Sequence, residues 1–153
     1  MDSPYPRCPD AATARGCATG TLAIIGVGAD LAEQLVLVVD DDDANRVVLR
    51  EILSDAGYRI AAVASPTVAR DIVRSERPAL VILDVSSSAE RAHASEIAAE
   101  IPAIVVSAGW YIEREAARLR ARAWLRKPFE IDDLIALVRE HASPRSAEGR
   151  QSN

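Results

Sequence analysis

Four consecutive aspartates follow the first apolar run in the chain. Leu35–Val39 consists of five aliphatic residues, and Asp40–Asp43 comes directly after it. Such a run is typical of a strand that is buried on both faces of a sheet. Like charges crowded at a strand end repel one another unless a cation lies among them. This run alone leaves two interpretations open: a site for a metal ion, or the start of a helix, where aspartate is favoured as the cap and in the first turn.

Three further apolar runs also end in residues that could do chemistry. Runs 80–83, 103–106 and 123–125 are followed by Asp84, Ser107 and the pair Arg126-Lys127. In an open parallel α/β sheet, the chemistry collects in the crevice beyond the carboxyl ends of the strands. Carboxylates, a hydroxyl and an ammonium gathered there can hold a divalent cation and a phosphoryl group together. The register of all four strand ends favours a metal site in the aspartate run over a helix start alone.

Strand and helix patterns alternate from residue 35 onward. Besides the four strands above, residues 58–63 form a fifth strand pattern, and apolar residues at helical spacing predict five helices near 43–57, 65–73, 90–100, 112–119 and 131–138. Five repeats of strand then helix require right-handed crossovers and therefore a parallel sheet. The predicted fold class is α/β, with a (βα)5 arrangement.

Composition and charge narrow the class of protein further. Apolar residues make up 49% of the chain and aromatic residues 4%, which suits aliphatic packing between α/β layers. The net charge of −5 gives no general attraction to nucleic acid or to an anionic membrane. Both cysteines, Cys8 and Cys17, lie near the N-terminus, so a disulfide framework is not expected and the main body suits the cytoplasm. We expect a disordered or weakly ordered extension at 1–34, one folded domain at 35–142, and a flexible tail at 143–153.

The motifs, in their order, resemble the receiver domain of two-component response regulators. They are Val38 to Asp42, Arg46, Leu83-Asp84, Val106-Ser107-Ala108 and Lys127-Pro128-Phe129. The resemblance covers about 35–141 and implies a flavodoxin-like, doubly wound, five-stranded parallel sheet with strand order 2-1-3-4-5. It also implies a chemotaxis-regulator-like phosphoprotein that takes part in signalling rather than an enzyme.

The resemblance assigns a role to each acid. Asp84 matches the aspartate that is phosphorylated, and a carboxylate can form such an acyl phosphate. Asp41 matches the direct ligand of Mg²⁺, and Asp40 matches the acid that holds the metal through water. Asp42 and Asp43 are assigned to the loop and the helix cap rather than to the metal. The backbone carbonyl of Ser86 would supply a further protein ligand. This sparse oxygen set suits Mg²⁺, which keeps several waters and a substrate phosphate.

The same resemblance assigns the phosphate-binding and switch residues. Ser107 matches the hydroxyl that turns toward the phosphoryl oxygens, and the small Ala108 leaves the crevice accessible. Lys127, the single lysine of the chain, matches the cation that pairs with the phosphoryl charge, and Pro128 would fix its loop. Trp124 occupies the position of the switch aromatic, where the family usually has Tyr or Phe.

Some features depart from the family pattern. Val85 to Glu90 replaces the usual Met-Pro and Gly after the phosphorylated aspartate, and the stretch from Asp84 to Ser107 is short, so we expect a short third helix. Arg120-Ala121 stands where Gly-Ala is usual, and the fourth helix is also expected to be short.

The resulting functional expectation is a stand-alone phosphoacceptor that receives its phosphoryl group from a histidine kinase or histidine phosphotransfer protein. We expect it to signal to a downstream protein target, with a possible homodimer through the face made by the fourth helix, fifth strand and fifth helix. Two alternatives stay open at this point: a degenerate receiver used only for binding or dimerisation, and a haloacid-dehalogenase-like phosphatase whose nucleophile lies in Asp40-Asp41-Asp42.

Overall fold

The computed structural model describes residues 34–85 and 91–142. Its strands are β1 (Leu35–Val39), β2 (Arg59–Val63), β3 (Leu80–Asp84), β4 (Ala103–Ser107) and β5 (Ala123–Arg126). Its helices are α1 (Asp43–Asp55), α2 (Pro66–Glu76), α3 (Arg91–Glu100), α4 (Ile112–Arg118) and α5 (Ile131–His141). The predicted extension up to residue 33, Ser86, and the tail from residue 143 lie outside the described residues.

The five strands form one parallel sheet in the order β2-β1-β3-β4-β5. The predicted α/β class, the parallel pairing and the strand order are therefore confirmed. Every residue of β1, β3 and β4 is buried, because helices cover both faces of these central strands. The chain enters β1 through Gln34, a residue predicted to belong to the extension. Gln34 is buried, and its carbonyl accepts a hydrogen bond of 3.1 Å from the backbone N–H of Arg59.

Side chains along each central strand alternate between two hydrophobic cores. In β1, Val36 and Val38 pack on the side that α1 and α5 cover, together with Leu53 and Leu134. Leu37 and Val39 pack on the opposite side, which α2, α3 and α4 cover. This two-sided burial explains why the strands appear in the sequence as continuous apolar runs rather than as alternating patterns.

Local signals in the sequence set several helix ends. Ser65 caps α2 by accepting a hydrogen bond of 3.2 Å from the N–H of Thr67, and Pro66 occupies the first turn. The chain turns away after α1 at Gly57, whose φ of 102° favours glycine. A comparable turn after α4 uses Arg120 at a φ of 53°, where the family pattern has glycine. A side chain in this left-handed region costs about 1 kcal/mol.

Of the two helices that were predicted to be short, one is short and the other is not. The fourth helix is short, with seven residues, as expected. The third helix was also expected to be short, but Arg91–Glu100 has ten residues, close to the eleven of α2 and of α5. Four strand boundaries differ from the predicted ones by one residue: β2 begins at Arg59, Asp84 and Ser107 belong to the ends of their strands, and β5 includes Arg126. No helix within the described ranges is both long enough and apolar enough to cross a membrane.

Candidate acidic site

Neighbouring strands deliver the acids of the site to one edge of the sheet. Val39 pairs with Leu83 in the sheet, so Asp40 and Asp84, each one residue further along, lie side by side. Carboxylate oxygens of Asp40, Asp41 and Asp84 all lie within 4.8 Å of one another. Asp40 is 3% and Asp84 9% exposed, whereas Asp41 is exposed to solvent. The sheet therefore presents two carboxylates at its floor and a third at the rim.

Lys127 brings the ammonium group to these acids. Its Nζ donates to Asp84 Oδ2 at 2.9 Å and to Asp40 Oδ2 at 3.4 Å. The backbone holds this position, because the N–H of Lys127 donates to the carbonyl of Ser107 at 3.0 Å. Burial lowers the pKa of Lys127, but the hydrogen bond and charge of Asp84, aided by those of Asp40, outweigh it, so the pKa lies above its usual value. The peptide bond to the exposed Pro128 is cis.

Asp40 is fixed by contacts with the start of α1. Its Oδ1 accepts a hydrogen bond of 2.9 Å from the N–H of Asp42, and its carbonyl accepts one of 2.7 Å from the Arg46 guanidinium. Arg46 also forms an ion pair with Asp43. Burial, together with the charge of Asp84, raises the pKa of Asp40, although the Asp42 N–H and Lys127 act in the opposite direction. The charged form of Asp40 is therefore held at some cost in free energy.

The other two aspartates of the run serve the helix. Asp42 is the N-cap of α1 and accepts a hydrogen bond of 3.1 Å from the N–H of Asn45, while Asp43 lies in the first turn. This arrangement confirms the prediction that Asp42 and Asp43 belong to the loop and the helix cap. Arg46, a motif residue for which the sequence predicted no role, joins the two ends of the aspartate run by contacting Asp40 and Asp43.

Ser107 lies at the end of β4, beside the acids. Asp84 pairs with Val106, so Ser107 stands one residue further toward the crevice, and it is 6% exposed. Its Oγ accepts a hydrogen bond of 3.1 Å from the N–H of Gly109. A Cβ atom at position 109 would lie 3.3 Å from that oxygen, so glycine keeps the space beside the hydroxyl open. Sequence reasoning did not single out Gly109, although a glycine two residues after the candidate hydroxyl was a usable signal.

Trp124 is placed on the same face of the sheet as Ser107. It pairs with Val105, two residues before Ser107, and packs against the core beneath α2, α3 and α4. Ala108 is exposed, in the loop that follows β4. The structure thus brings Asp40, Asp41, Asp84 and Lys127 into direct proximity and places Ser107 at the neighbouring strand end.

The donor set fits a small, hard divalent cation. Three carboxylates and one ammonium leave two formal negative charges in excess, and oxygen donors on one open side are what Mg²⁺ uses in proteins. With no sulfur or imidazole in this group of donors, a soft metal is disfavoured. Asp40, Asp41 and Asp84 are the side chains that would hold the ion.

Comparison with known proteins places this arrangement in a family. The response regulator receiver domain matches residues 36–139 of the chain. The response regulator MprA of Mycolicibacterium vanbaalenii is 34% identical over 113 residues, covering 68% of this chain and 48% of that protein. MprA of Mycobacterium avium is also 34% identical, over 68% of this chain and 49% of its own length. The chain thus spans about half the length of the curated relatives that it matches.

Solved structures agree with the sequence comparison. A response regulator receiver protein from Burkholderia phymatum is 29% identical, with a TM-score of 0.66 over 71% of this chain and 94% of that one. The chemotaxis protein CheY4 of Vibrio cholerae shares the fold, with a TM-score of 0.63 at 22% identity over 71% of this chain and 98% of its own. The chain belongs to the response regulator receiver domain family.

Proposed function

We propose that this receiver domain accepts a phosphoryl group on Asp84 from a histidine kinase or a histidine phosphotransfer protein. The observation that carries the proposal is the grouping of three carboxylates within 4.8 Å around a lysine whose Nζ lies 2.9 Å from Asp84. Receiver domains are signalling modules rather than enzymes in the ordinary sense, and membership of this family replaces the haloacid-dehalogenase interpretation.

The chemistry requires little beyond positioning and charge. A carboxylate oxygen of Asp84 attacks the phosphorus of a phosphohistidine, so that a P–O bond forms while the P–N bond breaks and the imidazole leaves with the electron pair. Lys127 is already within hydrogen-bond distance of Asp84 and can move its donor to a phosphoryl oxygen. The product on Asp84 is an acyl phosphate.

Mg²⁺ is the cofactor that we propose for this step. When bound, it offsets the negative charge that the incoming phosphoryl group adds to the carboxylates. Asp41 and Asp84 would hold it directly and Asp40 through water, while the proposed carbonyl ligand, Ser86, lies outside the described residues. The excess of carboxylates over ammonium at the site supports a divalent ion.

Ser107 is the proposed switch. Its hydroxyl accepts a hydrogen bond from the Gly109 N–H and can donate its own proton to a phosphoryl oxygen, so that a rotation of Ser107 would change its contact with the loop. The loop from Ala108 onward is thereby coupled to the state of Asp84, and a population shift of this loop is the signal passed onward. Trp124 is the proposed aromatic partner in this shift, acting from β5.

The remaining parts of the proposal concern partners and context. We infer that output passes through contacts with a protein target or a second copy of the domain, in the cytoplasm and without direct binding to nucleic acid. The folded domain at 35–142 would both accept the phosphoryl group and contact the partner protein. The alternative of a degenerate, unphosphorylated binding module predicts the opposite outcome in the following experiment.

Phosphorylation by acetyl phosphate tests the proposal directly. Wild-type protein incubated with acetyl phosphate and Mg²⁺ should give one retarded band on a phosphate-affinity gel, and Asp84→Asn should give none. Asp55→Asn, an exposed aspartate at the end of α1, is the matched control and should behave as wild type. EDTA should abolish the band. A retarded band that persists in Asp84→Asn, or its absence from the wild type, overturns the assignment.

A further inference from the structure

Two large aromatic side chains project from the loop between β4 and α4. Trp110 is 85% and Tyr111 69% exposed, the largest exposures among the large apolar side chains that the structure describes. Both follow Gly109, whose N–H is bonded to the hydroxyl of Ser107. Single exposed apolar residues are ordinary, but adjacent exposed aromatics are typical of interaction sites.

An arginine lies over each of these rings. The guanidinium of Arg126, from β5, lies 6.0 Å from the Trp110 ring centroid, and that of Arg114, from α4, lies 5.8 Å from that of Tyr111. Neither arginine forms an ion pair with any residue in the described ranges. Among the described residues, each ring therefore lies against a guanidinium group that has no carboxylate partner.

The adjoining groove adds two further arginines. A cavity of about 840 Å³ opens between the loop and α4, and Val85 also lines it. Arg91 and Arg118 line it and share one carboxylate, Glu115, at 3.7 Å and 3.1 Å. We call Trp110, Tyr111 and the arginines Arg91, Arg114, Arg118 and Arg126 the aromatic–arginine surface.

The local charge of this surface is opposite to that of the chain. Four arginines stand against Glu113 and Glu115 of α4, an excess of two positive charges, while the whole chain carries −5. A short acidic segment matches this pattern, since its carboxylates would pair with Arg114 and Arg126. An extended polyanion such as nucleic acid would also meet the negative remainder of the chain, which disfavours it.

We propose that the aromatic–arginine surface binds an acidic segment of a partner protein, with an apolar side chain of that segment packed on Trp110 and Tyr111. The inference rests on the proposed function in one respect, namely that the output of this domain passes through protein contacts. Because Gly109 ties the loop to Ser107, the segment would be bound on the element that the switch moves.

Peptide selection tests the chemistry of the partner. Short random peptides displayed on phage are selected on the immobilised full-length chain, without Mg²⁺ or phosphodonor. The enriched peptides should carry net negative charge and an aromatic or aliphatic residue. A labelled peptide made from them should bind about tenfold more weakly to Trp110→Ala, as expected for an aromatic anchor. Arg114→Gln/Arg126→Gln should bind with a similar loss, and added salt should weaken binding to the wild type.

The controls separate this proposal from simpler explanations. Arg74→Gln removes one exposed arginine from α2, away from the surface, and should bind as wild type. Circular dichroism should show all variants folded, because the substituted side chains are exposed or partly so. Enrichment of basic or uncharged peptides, no enrichment at all, or binding that is insensitive to the Trp110 and arginine substitutions overturns the proposal.

Two other occupants give distinct results. A single-stranded oligonucleotide that binds with the same dependence on Trp110 and Arg126 would reassign the surface to nucleic acid. Self-association that Trp110→Ala abolishes, measured by analytical ultracentrifugation, would reassign it to a second copy of the chain. Either result overturns the acidic-segment proposal. Failure of phosphorylation on Asp84, with acidic peptides still selected, would count against the proposed function alone.

Discussion

The interior of the sheet and its carboxyl edge are nearly equally buried but chemically opposite. Leu37, Ile82 and Ile104 are at most 2% exposed and pack among aliphatic side chains on both faces. Asp40 and Asp84 lie only two or three residues further along the same strands and are 3% and 9% exposed. Burial stabilises the first group, because apolar surface leaves water. It destabilises the second, because charged groups lose their hydration.

The difference shows that the apolar interior offsets the cost in free energy of the charged edge. The edge is held together by specific partners: the N–H of Asp42 for Asp40, the N–H of Gly109 for Ser107, and one ammonium shared by two carboxylates. These contacts satisfy most of the polar groups but leave negative charge in excess. The free energy that holds this arrangement must come from the apolar interior, as is common where function requires a locally unfavourable site.

Truncating an apolar side chain in the interior of the sheet should produce the largest loss of stability. Leu37→Ala removes a fully buried side chain from the core beneath α2, α3 and α4 and should lower the free energy of unfolding by about 3 kcal/mol, measured by urea denaturation. Val48→Ala, at an exposed position on α1, is the matched control and should change it by less than about 0.5 kcal/mol. Equal losses in the two variants would mean that the interior is not the source of stability.

Removing the shared ammonium should destabilise the edge, but less. Lys127→Met removes the ammonium that Asp40 and Asp84 share, and we expect the free energy of unfolding to fall by about 1–2 kcal/mol in EDTA at neutral pH, a loss that is reduced because the lysine is 25% exposed. Arg50→Met, an exposed cation on α1, controls for net charge. Part of the loss should return in the double variant Asp40→Asn/Lys127→Met. A loss that the second substitution does not reduce would argue against repulsion as its cause.

Removing one carboxylate from the edge should have the opposite sign. Asp40→Asn should raise the free energy of unfolding in EDTA, because burial and the charge of Asp84 raise the pKa of Asp40 and so disfavour its charged form. The asparagine oxygen can still accept from the Asp42 N–H. Asp41→Asn, at the exposed rim, should be nearly neutral. Destabilisation by Asp40→Asn would mean that the carboxylate stabilises the fold, and the contrast between interior and edge would fail.

The sequence predicted the fold because the interior depends on simple periodicities. Continuous aliphatic runs predict strands buried on both faces, and the alternation of strand and helix patterns predicts the parallel sheet. The strand order came from the resemblance to receiver domains and is confirmed. The third helix was the exception, because its length was inferred from spacing against the family rather than from its own residues.

The site was less predictable, because spacing does not show which atoms meet. The strand ends indicated Asp40, Asp84 and Lys127, but not that one ammonium contacts both acids. Gly109 acts through its backbone N–H, and the Arg46 guanidinium donates to the backbone carbonyl of Asp40. Of these two contacts, that of Gly109 had a usable signal, its position two residues after Ser107. The exposure of Trp110 was also not foreseen, since aromatic residues are usually buried.

The edge of the sheet at the amino ends of the strands, opposite the acidic site, should give the smallest effect on stability. His141, at the end of α5, lines a cavity with Ile101 and Arg122. Burial lowers the pKa of His141 from 6.5, and Arg122 lowers it further, against the raising effect of Glu140. The unfolded chain therefore takes up the proton first, so the contribution of this histidine to stability is complete above pH 6.5 and is lost as the pH falls toward its lower folded pKa.

Urea denaturation over a pH series should therefore show a difference between wild type and His141→Gln that appears only below about pH 6.5. Below that pH the free energy of unfolding of the wild type should fall faster than that of His141→Gln. We expect this pH-dependent difference to be smaller than the effects of Leu37→Ala, Lys127→Met and Asp40→Asn. Val68→Gln, at an exposed position on α2 that carries no titratable group, is the control and should show the same pH dependence as the wild type. Since hydrogen bonds and charges outweigh burial for Lys127 at the carboxyl edge, whereas burial outweighs the charge of Glu140 for His141 here, the two edges differ in how they compensate an ionisable group. A pH-independent difference for His141→Gln would remove that distinction.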